Sequence, residues 1–280
     1  MKLARLGDPG HEIPVLVSGD RYLDLRGIIT DIDGDALSRE SLARISNSAA
    51  SLPELAHADS LRVSAPVVRP SAIICIGMNY AAHAAESGSA PPQIPIVFMK
   101  TPNTIAGPND VVDIPRKSTK TDWEVELAVV IGERALYLDS PDDSQAHIAG
   151  YCIANDLSER EFQLELSGGQ WSKGKSAPGF SPLGPWLVTA DEIDSTGLRL
   201  RSWVNGELRQ DSTTADLIFG VDYIIWHLSQ FMALEPGDVI MTGTPEGVAL
   251  SGRFPYLVQG DVVEIEIAGL GRQRQVMGQA

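Results

Sequence analysis

The stretch WEVELAVVI, residues 123–131, constrains the fold more than any other, because its odd positions Trp123, Val125, Leu127, Val129 and Ile131 are all apolar. A strict two-residue period is the mark of a β-strand with one face buried. The opposite face opens with Glu124 and Glu126, preceded by Asp122. One strand therefore enters a core and carries two carboxylates pointing the same way, toward water or toward a cation.

Other short strands are predicted around 72–77, 95–99, 150–154, 183–189, 198–204, 238–242 and 261–267, each a short apolar run bounded by turn residues. Helices are fewer. A long helical pattern through Leu217, Ile218, Val221, Ile224, Ile225, Leu228 and Phe231 ends before Pro236-Gly237, and a shorter one follows Asp156. This balance predicts an α+β, β-rich fold, a mixed β-sandwich or roll. Upstream, residues 13–26 read as two strands joined at Ser18-Gly19-Asp20, and residues 38–45 as a helix. A small N-terminal α/β domain over residues 1–65 is expected, with APVVRPSA as the boundary and residues 66–280 as the main body. No repeat of solenoid length is present.

The 280 residues suffice for a substantial core. Acidic residues outnumber basic ones 37 to 22, a formal charge of −15 that repels nucleic-acid phosphates and anionic membranes, so neither is expected as a partner. Cys75 and Cys152 sit in apolar runs and read as small hydrophobes, not a disulfide. No apolar run is long enough for a bilayer span or the core of a signal peptide. A cytoplasmic location is expected.

The chain contains its own control for the glutamates. VVEIEIAG, residues 262–269, repeats the arrangement with Glu264 and Glu266, so Glu-x-Glu alone reads as a solvated strand face. The first pair differs in its neighbours. YCIANDLSEREFQ, residues 151–163, ends an apolar strand at Asn155-Asp156 and brings a third carboxylate, although Asp156 with Glu159, or Ser158 with Glu161, also fits a capping box. Three carboxylates about 5 Å apart repel by roughly 3 kcal/mol per pair at an effective dielectric of about 20. Such a hard oxygen set suits Mg²⁺ or Mn²⁺. The five histidines are scattered, and no Cys or His pair has the spacing of a zinc site.

In GMNYAAHAAESG, residues 77–88, His83 and Glu86 would share a helical face, where a carboxylate can orient imidazole as a base. A surface pair has the same spacing. Gly88 and the following SAPPQIP suggest a movable flap. Lys100 ends the strand IVFMK and Lys175 lies in GQWSKGKS; either could balance nearby carboxylates or bind an anionic substrate, and each, alone, also reads as ordinary surface, while Thr244 in TGTPEG offers a hydroxyl at a strand end that also reads as a plain turn.

Taken together, GMNYAAHAAESG, IVFMK, DWEVELAVVIG, ANDLSEREFQ, KGKS, SPLGPW and TGTPEGV resemble the fumarylacetoacetate hydrolase family, from about Ile73 through Leu270. The resemblance implies metal ligands at Glu124, Glu126 and Asp156, a catalytic dyad at His83 and Glu86 with Lys175, and substrate contacts at Lys100, Gln163 and Thr244. It also implies a homodimer and Mg²⁺ or Mn²⁺ as cofactor. One departure is Ala177-Pro178-Gly179, where many relatives carry an aspartate-threonine pair after the K-G-K-S run. The expected reaction is hydrolysis of the C3–C4 bond of a 2,4-dioxo acid, such as fumarylpyruvate, maleylpyruvate or a diketo-deoxy sugar acid. In it, His83 activates water and Lys175 helps hold the enolate charge. The rivals are decarboxylation of an oxaloacetate-like acid and noncatalytic binding of a keto acid.

Overall fold

A computed structural model describes residues 1–280. Strand Val125–Ile131 lies inside a ten-stranded mixed sheet, between Ile148–Asn155 and Val239–Met241, both antiparallel to it. Next come Ile73–Gly77, parallel to Val239–Met241, and the outer strand Ile96–Lys100. On the other side the order runs through Ser181–Thr189, Lys2–Leu6, Ile13–Ser18 and Arg21–Asp24. A second sheet of five strands has the order Glu207–Thr213, Arg199–Val204, Val262–Ile267, Gly271–Gln279 and Val111–Ile114. The fold is the β-rich α+β type with mixed sheets.

The expectation of a single buried face on the acidic strand is corrected, because the large sheet is covered on both sides. The odd residues Val125, Leu127, Val129 and Ile131 pack with Leu200, Val263 and Ile265 of the second sheet and with Ile224 and Leu228. The even residues Ala128 and Val130 pack with Leu25, Ile32, Leu37, Ile45 and Val67. Each such aliphatic side chain contributes about 1.5–3 kcal/mol of burial. The apolar cover on the even face ends at Ala128, and Glu126 and Glu124 follow it on that face.

The first 65 residues supply that second cover. Lys2–Leu6 pairs with Ser181–Thr189, and Leu3, Leu16 and Leu23 share a core with Ile73, Cys75 and Met241. The expected boundary near residue 65 therefore falls within one continuous sheet and core.

Two helices differ from expectation. The pattern over 217–231 winds only as Val221–Ser229, because Gly220 is extended at its start; Leu217 instead bridges Tyr80, and Phe231 is exposed. After Asp156 the chain first forms the short strand Ser158–Glu159 against Thr121–Asp122, then a π-helical turn at Glu161–Glu165. Glu159 does cap that turn, accepting from Phe162 N at 2.6 Å, whereas Asp156 takes no part in it.

Candidate active site

Strand register brings the acids together. Ala154 pairs with Glu126 and Asn155 with Val125, and the Asp156 amide then donates to the Glu124 carbonyl at 3.0 Å. Asp156 is thus set opposite Glu124 just where the two strands leave the sheet. One carboxylate oxygen from each of Glu124, Glu126 and Asp156 can be chosen so that all three lie within 4.8 Å of one another, and all three residues are buried. The amides freed at the strand's start are taken by side chains from outside the ladder: Asn155 Oδ1 accepts from Glu124 N, and Gln210 Oε1 accepts from Val125 N, both at 3.1 Å.

Three buried cations surround these acids. Lys100 Nζ donates to Asp156 at 2.5 Å and to the carbonyls of Phe180 at 2.7 Å and Leu157 at 3.2 Å. Lys175 Nζ bridges Glu124 at 2.8 Å and Asp156 at 2.7 Å. Arg160 reaches Asp122 at 2.8 Å, Glu124 at 2.6 Å and the Gln163 amide oxygen at 2.9 Å. Three buried carboxylates, Asp122, Glu124 and Asp156, meet these three cations, and the fourth, Glu126, has no cation in contact.

The titration behaviour follows. Burial raises the Glu126 carboxyl well above its usual range, reinforced by the charges of Asp156 and Glu124 and only partly relieved by Lys175 and by the Gly243 amide at 2.8 Å. Burial also opposes ionisation of Glu124, but Lys175 and Arg160 outweigh it and hold that carboxyl far below the carboxylate range. Burial disfavours the charged form of Lys175 as well, yet Asp156 and Glu124 keep it protonated. The three acids form a hard oxygen set with a charge deficit at Glu126, which fits a divalent cation.

The dyad faces the same space. His83 and Glu86 lie on the short helix Ala81–Glu86, with His83 Nδ1 and Glu86 Oε1 at 3.0 Å, and both Glu86 oxygens accept from Gly247 N at 3.1 Å. Asn79 anchors the helix start, donating to the carbonyls of Thr242 at 2.7 Å and Phe219 at 3.0 Å and accepting from Phe219 N at 2.8 Å. Met78, just before it, holds a left-handed φ of 56°, the kind of backbone strain that a well-packed site sustains. Gly77 lets the Trp171 ring come close: a Cβ there would lie 2.5 Å from the ring, which would have to shift. Thr244 donates to the Val125 carbonyl at 2.9 Å and accepts from Gln210 at 2.8 Å.

A cavity of about 290 Å³ opens onto these groups; His83, Glu86, Glu124, Glu126, Gln163, Lys175 and Thr244 all line it. The fumarylacetoacetate (FAA) hydrolase C-terminal family pattern matches residues 72–277. The chain belongs to the fumarylacetoacetate hydrolase family. It is 47% identical over 284 residues to a Burkholderia multivorans protein named only as a hydrolase, covering 99% of this chain and 98% of that one. Among solved structures it resembles a fumarylacetoacetate hydrolase from Exiguobacterium antarcticum, with 32% identity, full coverage of both chains and a TM-score of 0.86. It also resembles a maleylpyruvate hydrolase from Sphingobium sp. SYK-6, seen with manganese(II) and pyruvate, with 29% identity, full coverage of both chains and a TM-score of 0.82.

Within this family member, one expected substrate contact, Lys100, sits differently from what the resemblance implies. Lys100 does not line the cavity; it lies behind Asp156 with its donors engaged by protein oxygens. The Ala177-Pro178-Gly179 loop also turns away from the cavity, and Ala177 packs on the main core. The control pair is confined to the second sheet, where Glu264 meets Arg272 at 3.1 Å and Glu266 meets Arg201 at 2.5 Å. Sequence reasoning missed Arg160, Gln210 and Asn155. An arginine within SEREFQ carries no pattern of its own, and only the pairing of Ser158 with Asp122 places it against the acids.

Proposed function

We propose that this protein is a divalent-metal hydrolase that cleaves the C3–C4 bond of a 2,4-dioxo acid, yielding pyruvate and a carboxylic acid. One observation carries the reading: an oriented imidazole and two members of a buried carboxylate trio, Glu124 and Glu126, line one small cavity. Glu124, Glu126 and Asp156 would hold Mg²⁺ or Mn²⁺, which supplies Lewis-acid polarisation of substrate oxygens when bound.

The protein's own groups account for the rest. Glu86, fixed by the Gly247 amide, holds His83 through Nδ1, which leaves Nε2 as the base that takes a proton from water attacking the 4-carbonyl. Breakage of C3–C4 then leaves the bonding electrons on the pyruvate fragment as an enolate. Lys175, kept protonated by its two acidic neighbours, stabilises that charge, and the proton held on His83 passes to C3 to give pyruvate. Gln163 and Thr244, both on the cavity wall, position the substrate.

The test supplies manganese-loaded enzyme with acylpyruvates and with oxaloacetate, following pyruvate and carbon dioxide, and repeats the assay with His83→Ala. Acylpyruvate cleavage that falls by about 10²–10⁴ in the variant, with metal still bound, is expected. Carbon dioxide release without acylpyruvate cleavage, or unchanged turnover in the variant, would overturn the proposal.

A further inference from the structure

A 2,4-dioxo acid has a constant anionic head and a variable tail, and the cavity wall offers them paired charges and apolar side chains. The cations on the wall, Arg160 and Lys175, are both already paired with Asp122, Glu124 and Asp156. The rest of the wall includes Ile76, Phe98, Leu164, Trp171 and Leu250, with Phe98 and Trp171 meeting edge to face at 5.7 Å and the paired Lys175 ammonium 5.2 Å from the Phe98 ring. The polar groups there include the hydroxyls of Ser87 and Ser89, and Ser87 Oγ is buried with no protein partner. Arg253 lies outside the wall, stacked on Phe254 and 4.0 Å from Glu86.

A tail ending in a second carboxylate would give up its hydration on this wall and find no free cation. An aryl or branched alkyl tail would instead cover the apolar side chains, and one neutral oxygen on it could accept from Ser87. We propose that the enzyme selects 2,4-dioxo acids whose tail beyond C4 is uncharged and apolar, in preference to those with a second carboxylate. This inference rests on the dioxo-acid reading of the head site.

The experiment compares 2,4-dioxo-4-phenylbutanoate with fumarylpyruvate, which share the head and differ in tail charge. Pyruvate release by the manganese-loaded enzyme gives kcat/KM for each, and calorimetry gives the affinity of each for manganese-loaded His83→Ala, which binds without turnover. The phenyl compound should be favoured by at least about tenfold in both measurements, the scale of one charged group left without its partner. Equal or tighter binding of fumarylpyruvate overturns the inference whatever the turnover. If neither compound is cleaved but the binding preference stands, the tail assignment holds and the hydrolase reading falls; if neither binds, both fall. Leu164→Arg, at a half-exposed position on the wall, should raise fumarylpyruvate affinity by about tenfold, and no gain would count against the assignment.

Discussion

Lys100 shows how much a single residue can mislead and then explain. Its position at the end of an apolar strand leaves open a partner for nearby carboxylates or a contact to an anionic substrate, the family resemblance implies the second, and a lysine there has no sequence mark that separates the two roles. In the folded chain its ammonium joins Asp156 to the Leu157 and Phe180 carbonyls, with both charged side chains fully buried. It orients Asp156 from behind. Lys100→Met would leave two carbonyls without this donor and Asp156 with Lys175 as its remaining cation, so a loss of about 3–5 kcal/mol is expected. Urea denaturation measures it, and an unchanged midpoint would contradict the role. Glu124, Glu126 and Asp156 stand out as acids on or at the end of apolar strands, but Glu264 and Glu266 stand out equally, and only the family resemblance singles out the trio. Arg160 does not stand out, since a cation in a polar run becomes meaningful only once Ser158 and Asp122 are paired.

Among the elements, the central strands were readable and the supporting ones were not. Apolar alternation announced 123–131, whereas Glu207–Thr213 and Gly271–Gln279 are polar in sequence because what they bury includes glutamine. Gln210 holds Val125 N and Thr244, and Gln275 accepts from the Asn155 that supports Glu124, so these strands serve the site through hydrogen bonds. The helix of His83 depends likewise on Asn79, which ties it to the strand end at Thr242. Asn79→Ala should lower kcat by about tenfold or more, because displacement of the dyad by even an ångström is costly, while manganese affinity stays near wild type. Equal loss of both would mean that Asn79 acts on the whole site. The 217–231 pattern was overextended for a simple reason: apolar spacing continued through Gly220, where the backbone turns out of the helix.

At the scale of the whole molecule, burial of the acids couples stability to pH. The folded state raises the Glu126 carboxyl above its unfolded value, so the group's favourable contribution is complete below the unfolded value and is lost as pH rises through the folded one. Glu124 runs the other way: its carboxyl is lowered, and its contribution is lost only as pH falls below the usual carboxylate range. In the window above the usual carboxylate range the Glu126 effect therefore dominates the metal-free protein, and a bound cation should cancel it. The gap in Tm between manganese-loaded and chelator-treated protein is expected to widen as pH rises across that window; a gap that is flat or narrows would contradict the charge deficit assigned to Glu126. The two-sided cover of the large sheet was the least legible feature, because pairing of residues 2–6 with 181–189 is a contact no local pattern encodes.

The most direct test is an anomalous difference map from a crystal soaked in manganese. The account predicts one strong peak within coordination distance of Glu124, Glu126 and Asp156, with His83 across the cavity, and loss of that peak in Glu126→Ala. Carboxylates in place around an empty centre, or manganese bound equally well in the variant, would contradict it.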